Sequence, residues 1–236
     1  MDIHKPKPWH GAREFLKEYV IIVVGVLTAL AAEQGVEWLH WQEKVRQGEV
    51  QERKELSQVY AWASERTRVE KCLDTRLKTM TQALLAGDGA WTPLPAMGPR
   101  DGDTAVLLAP MRPWSDGVWR SLSADGTATH LSQPRWLLYS RTYAILEPAR
   151  ERNRQELVEV AALSVLQYPT VLSRPERNAL VERIGQEQAR NRMIAVDSRL
   201  LMQDIQQAGP VDLMRTKNLP QESITMKACA VLGLPT

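Results

Sequence analysis

The sequence predicts an all-α protein: an N-terminal transmembrane helix continuing into an antiparallel three- to four-helix bundle with an irregular Pro/Trp-rich cap. Three observations predict it. An uncharged apolar run, Tyr19 to Ala32, lies near the N-terminus. No proline interrupts the chain between Trp9 and Pro93. Downstream, two more stretches repeat apolar residues at spacings of three and four, the period of a helix face.

The apolar run comes first. Its 14 residues would measure about 21 Å as a helix, short of the roughly 30 Å of bilayer hydrocarbon. Phe15 and Leu16 extend it on one side, and Val36, Trp38 and Leu39 on the other. Lys17 can snorkel outwards, and Glu33 stands near the far boundary. Trp9, Trp38 and Trp41 bracket the span as interfacial anchors, with about 44 Å of helix from Trp9 to Trp38. A cleaved signal is the rival reading, since Lys5, Lys7 and Arg13 precede a short core and "ALA" ends at Ala31. Nothing breaks the helix near that site, and the leading region is long and carries Glu14 and Glu18. The retained anchor fits better. With Lys5, Lys7, Arg13 and Lys17 ahead of it and only Lys44 and Arg46 in the next equivalent stretch, the N-terminus is expected to stay cytoplasmic. Glu18, Ile22, Gly25, Ala29 and Ala32 share one helix face, where small residues would let another helix approach.

After the anchor, "QEKVRQGEVQERKELSQVY" is charged and weakly apolar, as a solvated stalk would be. Leu56, Val59, Ala63, Val69, Leu73, Leu77, Met80 and Leu84 then form a core-facing stripe, and "GDG" ends the helix near Ala86. Residues 87–134 hold six prolines: Pro93, Pro95, Pro99, Pro110, Pro113 and Pro134. A short helix inside this segment is expected after Ser115 or Asp116, with Val118, Trp119 and Leu122 inward. A second long helix is expected from about Arg135 to Gln167, with Pro148 placed to kink it. Ser173 and Glu176 make a capping box that opens a third helix, which stops at "AGP" after Gln207. "QESITMKACAVLG" could close the fold with a short helix carrying Cys229. The expected organisation is therefore a cytoplasmic tail at 1–14, an anchor at 15–39, a stalk at 40–55 and an extracytoplasmic bundle at 56–236, of which 87–134 is the cap.

If the second and third helices are antiparallel about Val171, Arg150, Asn153 and Arg154 come opposite Glu187 and Asn191. One reading is a ligand site, with arginine forks for a carboxylate or phosphate. The other is an internal ion-pair layer that fixes register, and buried polar layers in bundles are often structural. On the same antiparallel register, Leu157, Val160, Ala161, Ser164 and Val165 would face Leu180 and Ile184. At the far end, Leu137, Tyr143 and Leu146 would face Ile194, Val196, Leu200, Leu201 and Ile205. Trp91, Trp114, Trp119, Trp136, Tyr139 and Tyr143 interleave with Arg112, Arg120, Arg135 and Arg141. These suit a surface for a glycan, lipid headgroup or protein, or else indoles that pin the proline-rich segment onto the bundle end, which is the simpler reading. Cys72 and Cys229 form neither a CxxC pair nor a zinc cluster. In an exported domain they could form a disulfide, or remain two buried thiols.

The charge balance, 30 basic against 28 acidic residues, gives no global field for nucleic acid. The sequence has no HExxH, GxSxG, P-loop or dinucleotide fingerprint, and its four histidines are scattered. No catalytic residue, metal or cofactor is therefore expected. Two segments carry a resemblance. "REFLKEYVIIVVGVLTALAAEQGVEWLHW" resembles the N-terminus of a widespread group of bacterial single-pass inner-membrane proteins of unestablished function. "WRSLSADGTATHLS" followed by "LYSRTYAILEPARERNRQE" is similar to their central region. The resemblance implies a retained anchor and carries over no catalytic residues. The expected role is a membrane-anchored extracytoplasmic interaction protein, non-enzymatic, in contact with membrane lipid and either a homo-oligomer or a subunit of a larger membrane complex. The alternative is a periplasmic sensory bundle recognising an acidic ligand through the polar layer.

Overall fold

A computed structural model describes residues 11–98, 105–208 and 223–236. Trp9, and with it most of the expected cytoplasmic tail, lies outside the described residues. The chain divides into two compact units, Met1–Gln47 and Gly48–Thr236. The protein is predominantly helical, with one two-stranded sheet among the described residues.

In the first unit the described chain is the opening part of helix α1 (Ala12–Ala86). Among the described residues α1 alone is long and apolar enough to cross a membrane, and none of its apolar window is buried. Val20, Ile21, Ile22, Val24, Val26, Leu27 and Leu30 all stand exposed. Moving such residues into a bilayer centre gains about 0.3–0.6 kcal/mol each, several kcal/mol in sum. The hydroxyl of Thr28 donates to Val24 O at 2.8 Å, so this polar side chain in the middle of the run is satisfied within the helix. Glu18, Ile22, Gly25, Ala29 and Ala32 fall on one face of this unbroken helix, and a Cβ on Gly25 would meet nothing within 4 Å. Beyond the run, Trp38 is exposed, and Trp41 lies under Lys44 with Nζ 4.9 Å from the ring centroid.

The second unit begins at Gly48, inside the expected stalk. Gly48 and Glu52 are buried, Glu49 pairs with Arg135, and Glu55 accepts two hydrogen bonds from the segment around Ser115. Glu49, Glu52 and Glu55 are thus engaged by other elements, while Arg53 and Lys54 stay exposed, which corrects the stalk boundary.

The remaining elements are β1 (Ala90–Trp91), α2 (Gly117–Ala124), α3 (Gln133–Ala162), β2 (Thr170–Val171), α4 (Arg174–Ala208) and α5 (Ile224–Val231), with 3₁₀ turns at Thr127–His130 and Leu163–Gln167. Ion pairs fix the helix directions. Arg183–Glu159, Arg152–Asp197 and Arg141–Asp204 run in opposite order along α3 and α4, so these two are antiparallel. Asp74–Arg192, Glu70–Arg199 and Tyr60–Gln206 make α4 antiparallel to α1 as well. Glu49–Arg135, Glu52–Tyr143 and Arg66–Glu156 ascend together, so α1 and α3 are parallel.

A parallel pair needs a connection that returns along its length. The proline-rich segment supplies it, and it is therefore not a cap at one end. Trp91 pairs with Thr170, and Arg76 donates to the carbonyls of Pro95 and Val106 at 2.7 and 2.8 Å. Arg112 then grips Glu65, Ser115 and Val118 reach Glu55, and Leu122 packs on Gly48. From Arg76 to Gly48 these contacts step back along α1 over roughly 42 Å of helix. Prolines hold the chain extended, the conformation that covers most distance per residue.

The apolar core gathers at the Gly87 end. Val69, Leu73, Leu77, Met80 and Leu84 of α1 meet Trp91, Met97, Val106, Leu163, Leu166, Leu180 and Ile184. Each such large side chain contributes about 1.5–3 kcal/mol by burial. Val160 packs partly buried against this core, as expected, but Leu163 and Leu166 take the places expected for Ala161 and Ser164, which stand exposed, because a 3₁₀ turn winds three residues per turn and stacks positions three apart. Val165 consequently points outward, 45% exposed. At the other end Leu137, Val196 and Leu200 are also exposed, contrary to the inward positions expected, since α4 turns Ile194, Ala195, Ser198, Leu201 and Ile205 inside.

Helix ends follow local chemistry. Ser173 N donates to Glu176 Oε2 at 2.7 Å and Ser173 Oγ accepts from Glu176 N at 3.5 Å, completing the expected capping box. Helix α2 has Asp116 at its N-cap position, as expected, but the Asp116 side chain makes no cap bond: Ser115 Oγ accepts from Gly117 N at 3.4 Å and Glu55 of α1 accepts from Val118 N at 3.1 Å. Gly89, at φ +128°, lies where a Cβ would stand 3.2 Å from Leu172 O, so only glycine lets β1 reach β2 there. Helix α5 packs on the core, and Cys229 is joined to Cys72 of α1 by a disulfide with Cα atoms 6.0 Å apart.

Candidate functional site

Where the core gives way to polar groups, three helices and the return segment build one connected network. Arg66 of α1 is 1% exposed. Its guanidinium donates to Glu156 Oε2 at 2.9 Å and Oε1 at 2.6 Å, and to Asn191 Oδ1 at 2.8 Å. Asn191 Nδ2 donates in turn to Glu70 O at 3.0 Å. Asn153 donates to Glu156 Oε2 and to Pro110 O, both at 2.9 Å. Its own oxygen accepts from Arg112 N and Trp114 Nε1, both at 3.0 Å. Arg112 forks onto Glu65 at 2.6 and 2.8 Å. Glu187 is buried beside Glu156 and receives Arg190. Burial, with the charge of Glu156 next to it, pushes the Glu187 carboxyl well above the ordinary carboxylate range.

The structure brings together three of the residues expected in this layer, Asn153, Glu187 and Asn191. It does not bring in Arg154, whose side chain is 67% exposed and held by Glu151 one turn back. Asn153 and Glu156 stand three apart on the inner face, whereas Arg154 is a further 100° round the helix. Arg150 lies at the edge, donating to Trp114 O at 2.9 Å and pairing with Asp116. The cation of the layer is Arg66. Its signal in the sequence is a charge at the core period: Ala63, Arg66 and Val69 are three apart, and all three are buried. Glu156 likewise follows Asn153 at three.

A second polar cluster lies nearer Gly48. Tyr143 hydroxyl stands 2.6 Å from Glu52 Oε2 and 2.9 Å from Glu55 Oε1. Trp119 stacks on the Tyr143 ring, 5.6 Å between centroids and 3° between planes, and meets Tyr139 edge-on. Burial, opposed by the Tyr143 hydrogen bond and assisted by the charge of Glu55, pushes the Glu52 carboxyl up to about 7. Outside this cluster, an open groove of about 380 Å³ is lined by Gln51, Lys54, Glu55, Gln58, Trp62, Ser115 and Val118.

The indoles of the return segment have structural partners. Trp91 Nε1 donates to Leu166 O at 2.9 Å, and Trp114 is buried against Trp62 with a backbone φ of +47°. That left-handed conformation is costly for a bulky residue and is held here by the Asn153 hydrogen bond and by packing. The interleaved arginines are committed too: Arg112 to Glu65, Arg120 to Asp116, Arg135 to Glu49 and Arg141 to Asp204. No group of His, Cys, Asp and Glu among the described residues is arranged to hold a metal ion.

No family model, curated protein or solved structure matches this chain.

Proposed function

We propose that this chain is a membrane-anchored extracytoplasmic helical interaction protein, an oligomeric or accessory subunit of a bacterial envelope complex, without catalytic activity. One observation carries the reading: a fully exposed apolar stretch and a buried disulfide occur on the same helix. Exposed apolar residues in such number call for lipid or a partner. A disulfide between residues 157 positions apart calls for an oxidising compartment. A single-pass anchor with its N-terminus in the cytoplasm and residues 48–236 in the periplasm of a bacterial inner membrane satisfies both, and agrees with the basic flank ahead of the run. The face of Glu18, Ile22, Gly25, Ala29 and Ala32 is then the surface on which a second transmembrane helix packs.

The acidic-ligand reading has less support, because Arg150 and Arg154 already hold protein acceptors and both terminal nitrogens of Arg66 are engaged by Glu156 and Asn191. The test uses intact cells and detergent extracts. Membrane fractionation, with mass measurement of the N-terminal peptide, is expected to recover an uncleaved chain that resists carbonate extraction. Crosslinking in mild detergent is expected to give a defined oligomer or co-purifying partner, reduced by Gly25→Ile. A mature chain starting near Ala32, or a strictly monomeric protein without partners, would sink the proposal.

A further inference from the structure

Next to Gly48 the interior holds a carboxyl group with no cation among the described residues. Glu52 is fully buried, and its Oε1 has no hydrogen-bond partner. Its Oε2 shares the Tyr143 hydroxyl with Glu55 Oε1, at 2.6 and 2.9 Å. A phenolic hydroxyl has a single proton to give. Two ionised carboxylates on one hydroxyl therefore leave one short oxygen–oxygen contact without a hydrogen. The other oxygen of Glu55 already accepts from Ser115 Oγ at 3.0 Å and Val118 N at 3.1 Å, whereas that of Glu52 is buried and unmatched among the described residues.

The neighbouring charges are engaged elsewhere. On α1, Glu49 pairs with Arg135 of α3, and Arg53 donates to the Glu49 carbonyl. On α3, Arg141 is held by Asp204 of α4, and Tyr139 is kept neutral by burial first. From the return segment, Asp116 pairs with Arg120 and Arg150.

We propose that Glu52 is a proton-binding site: its carboxyl keeps a proton in the folded protein and donates it to Tyr143 Oη, which donates its own to Glu55. The resulting chain of hydrogen bonds latches the start of α2 onto α1 and α3. Release of the proton to solvent leaves two carboxylates facing one hydroxyl, and the latch weakens. Burial sets that release near pH 7, against an ordinary value of 4.5. The stabilising contribution is thus fully present below 4.5 and is lost as pH rises through about 7. The proposal is independent of any partner.

The full chain in mild detergent, unfolded by urea at pH 5 and pH 8, tests it against Glu52→Gln, whose amide N–H replaces the acid O–H. Wild type and variant are expected to match at pH 5. At pH 8 the wild-type folding constant is expected to fall below that of the variant by on the order of a hundredfold. Infrared spectra at pH 6 are expected to show a protonated-carboxyl band that loses intensity in the variant. An unchanged band overturns the proposal. So does a variant less stable than wild type by the same factor at both pH values.

Discussion

At the scale of single residues, the second unit is built around charges that have no route to water. Removing one partner of a buried pair strands the other, which typically costs about 3–5 kcal/mol. Arg66→Met is therefore expected to destabilise the protein by about that much, read as a lower urea midpoint. Pairing it with Glu156→Leu is expected to restore much of the loss, because no uncompensated charge then remains. Arg154→Ala removes a guanidinium of the same nominal charge from α3. It is expected to leave the midpoint unchanged, since among the described residues its side chain is held by exposed Glu151 alone. The contrast separates burial from composition. Sequence reading found Asn153, Glu187 and Asn191 because they interrupt apolar stripes at one height on two helices. It chose the wrong arginine because α3 alone could not say which of two neighbouring positions faced α1, and because Arg66 sits on a third helix. Glu52 was missed for a related reason, and Tyr143 was placed inside without its partner: Glu52 sits in a run of charges that reads as solvated, and only the packing of other elements buries it.

At the scale of elements, sequence punctuation was reliable where chemistry is local. The Ser173–Glu176 box, the stop at Gly87 and the short helix carrying Cys229 all depend on residues within a turn of one another. What local chemistry left open was the course of the proline-rich segment. Extended chain can lie against any helix, and its docking is decided by pairs such as Arg112–Glu65, far apart in sequence. One close approach holds its far end: a Cβ on Gly48 would stand 2.7 Å from Leu122 Cδ2. Gly48→Val is expected to push α2 off α1, at about 1–3 kcal/mol, the usual range for overpacking. Helix α5 depends on its covalent tie. Cys229→Ser removes a cross-link worth about 5 kcal/mol of loop entropy, less any strain. Thermal unfolding with and without reductant is expected to show the same drop for wild type as the variant shows without it.

At the scale of the whole second unit, buried acids set the response to pH. Glu52, Glu187 and Asp197 are all pushed upward, each by burial first. Groups whose folded values are raised stabilise fully at low pH and lose that contribution as pH rises through the elevated value. Asp74 runs the other way: despite burial, Lys78 and Arg192 hold it low, so its contribution appears above its ordinary range and is lost only on strong acidification. Thermal midpoints are thus expected to peak near pH 5 and to decline towards pH 8, the reverse of a protein held by exposed salt bridges. Glu187→Gln is expected to flatten part of that decline.

The bond between Cys72 and Cys229 closes most of the second unit into a covalent ring that begins on the same helix as the apolar run. A protease that cuts the backbone once, anywhere inside that ring, opens it without releasing anything. On a non-reducing gel the nicked protein still migrates as one piece attached to its hydrophobic end, and only a thiol separates the two fragments.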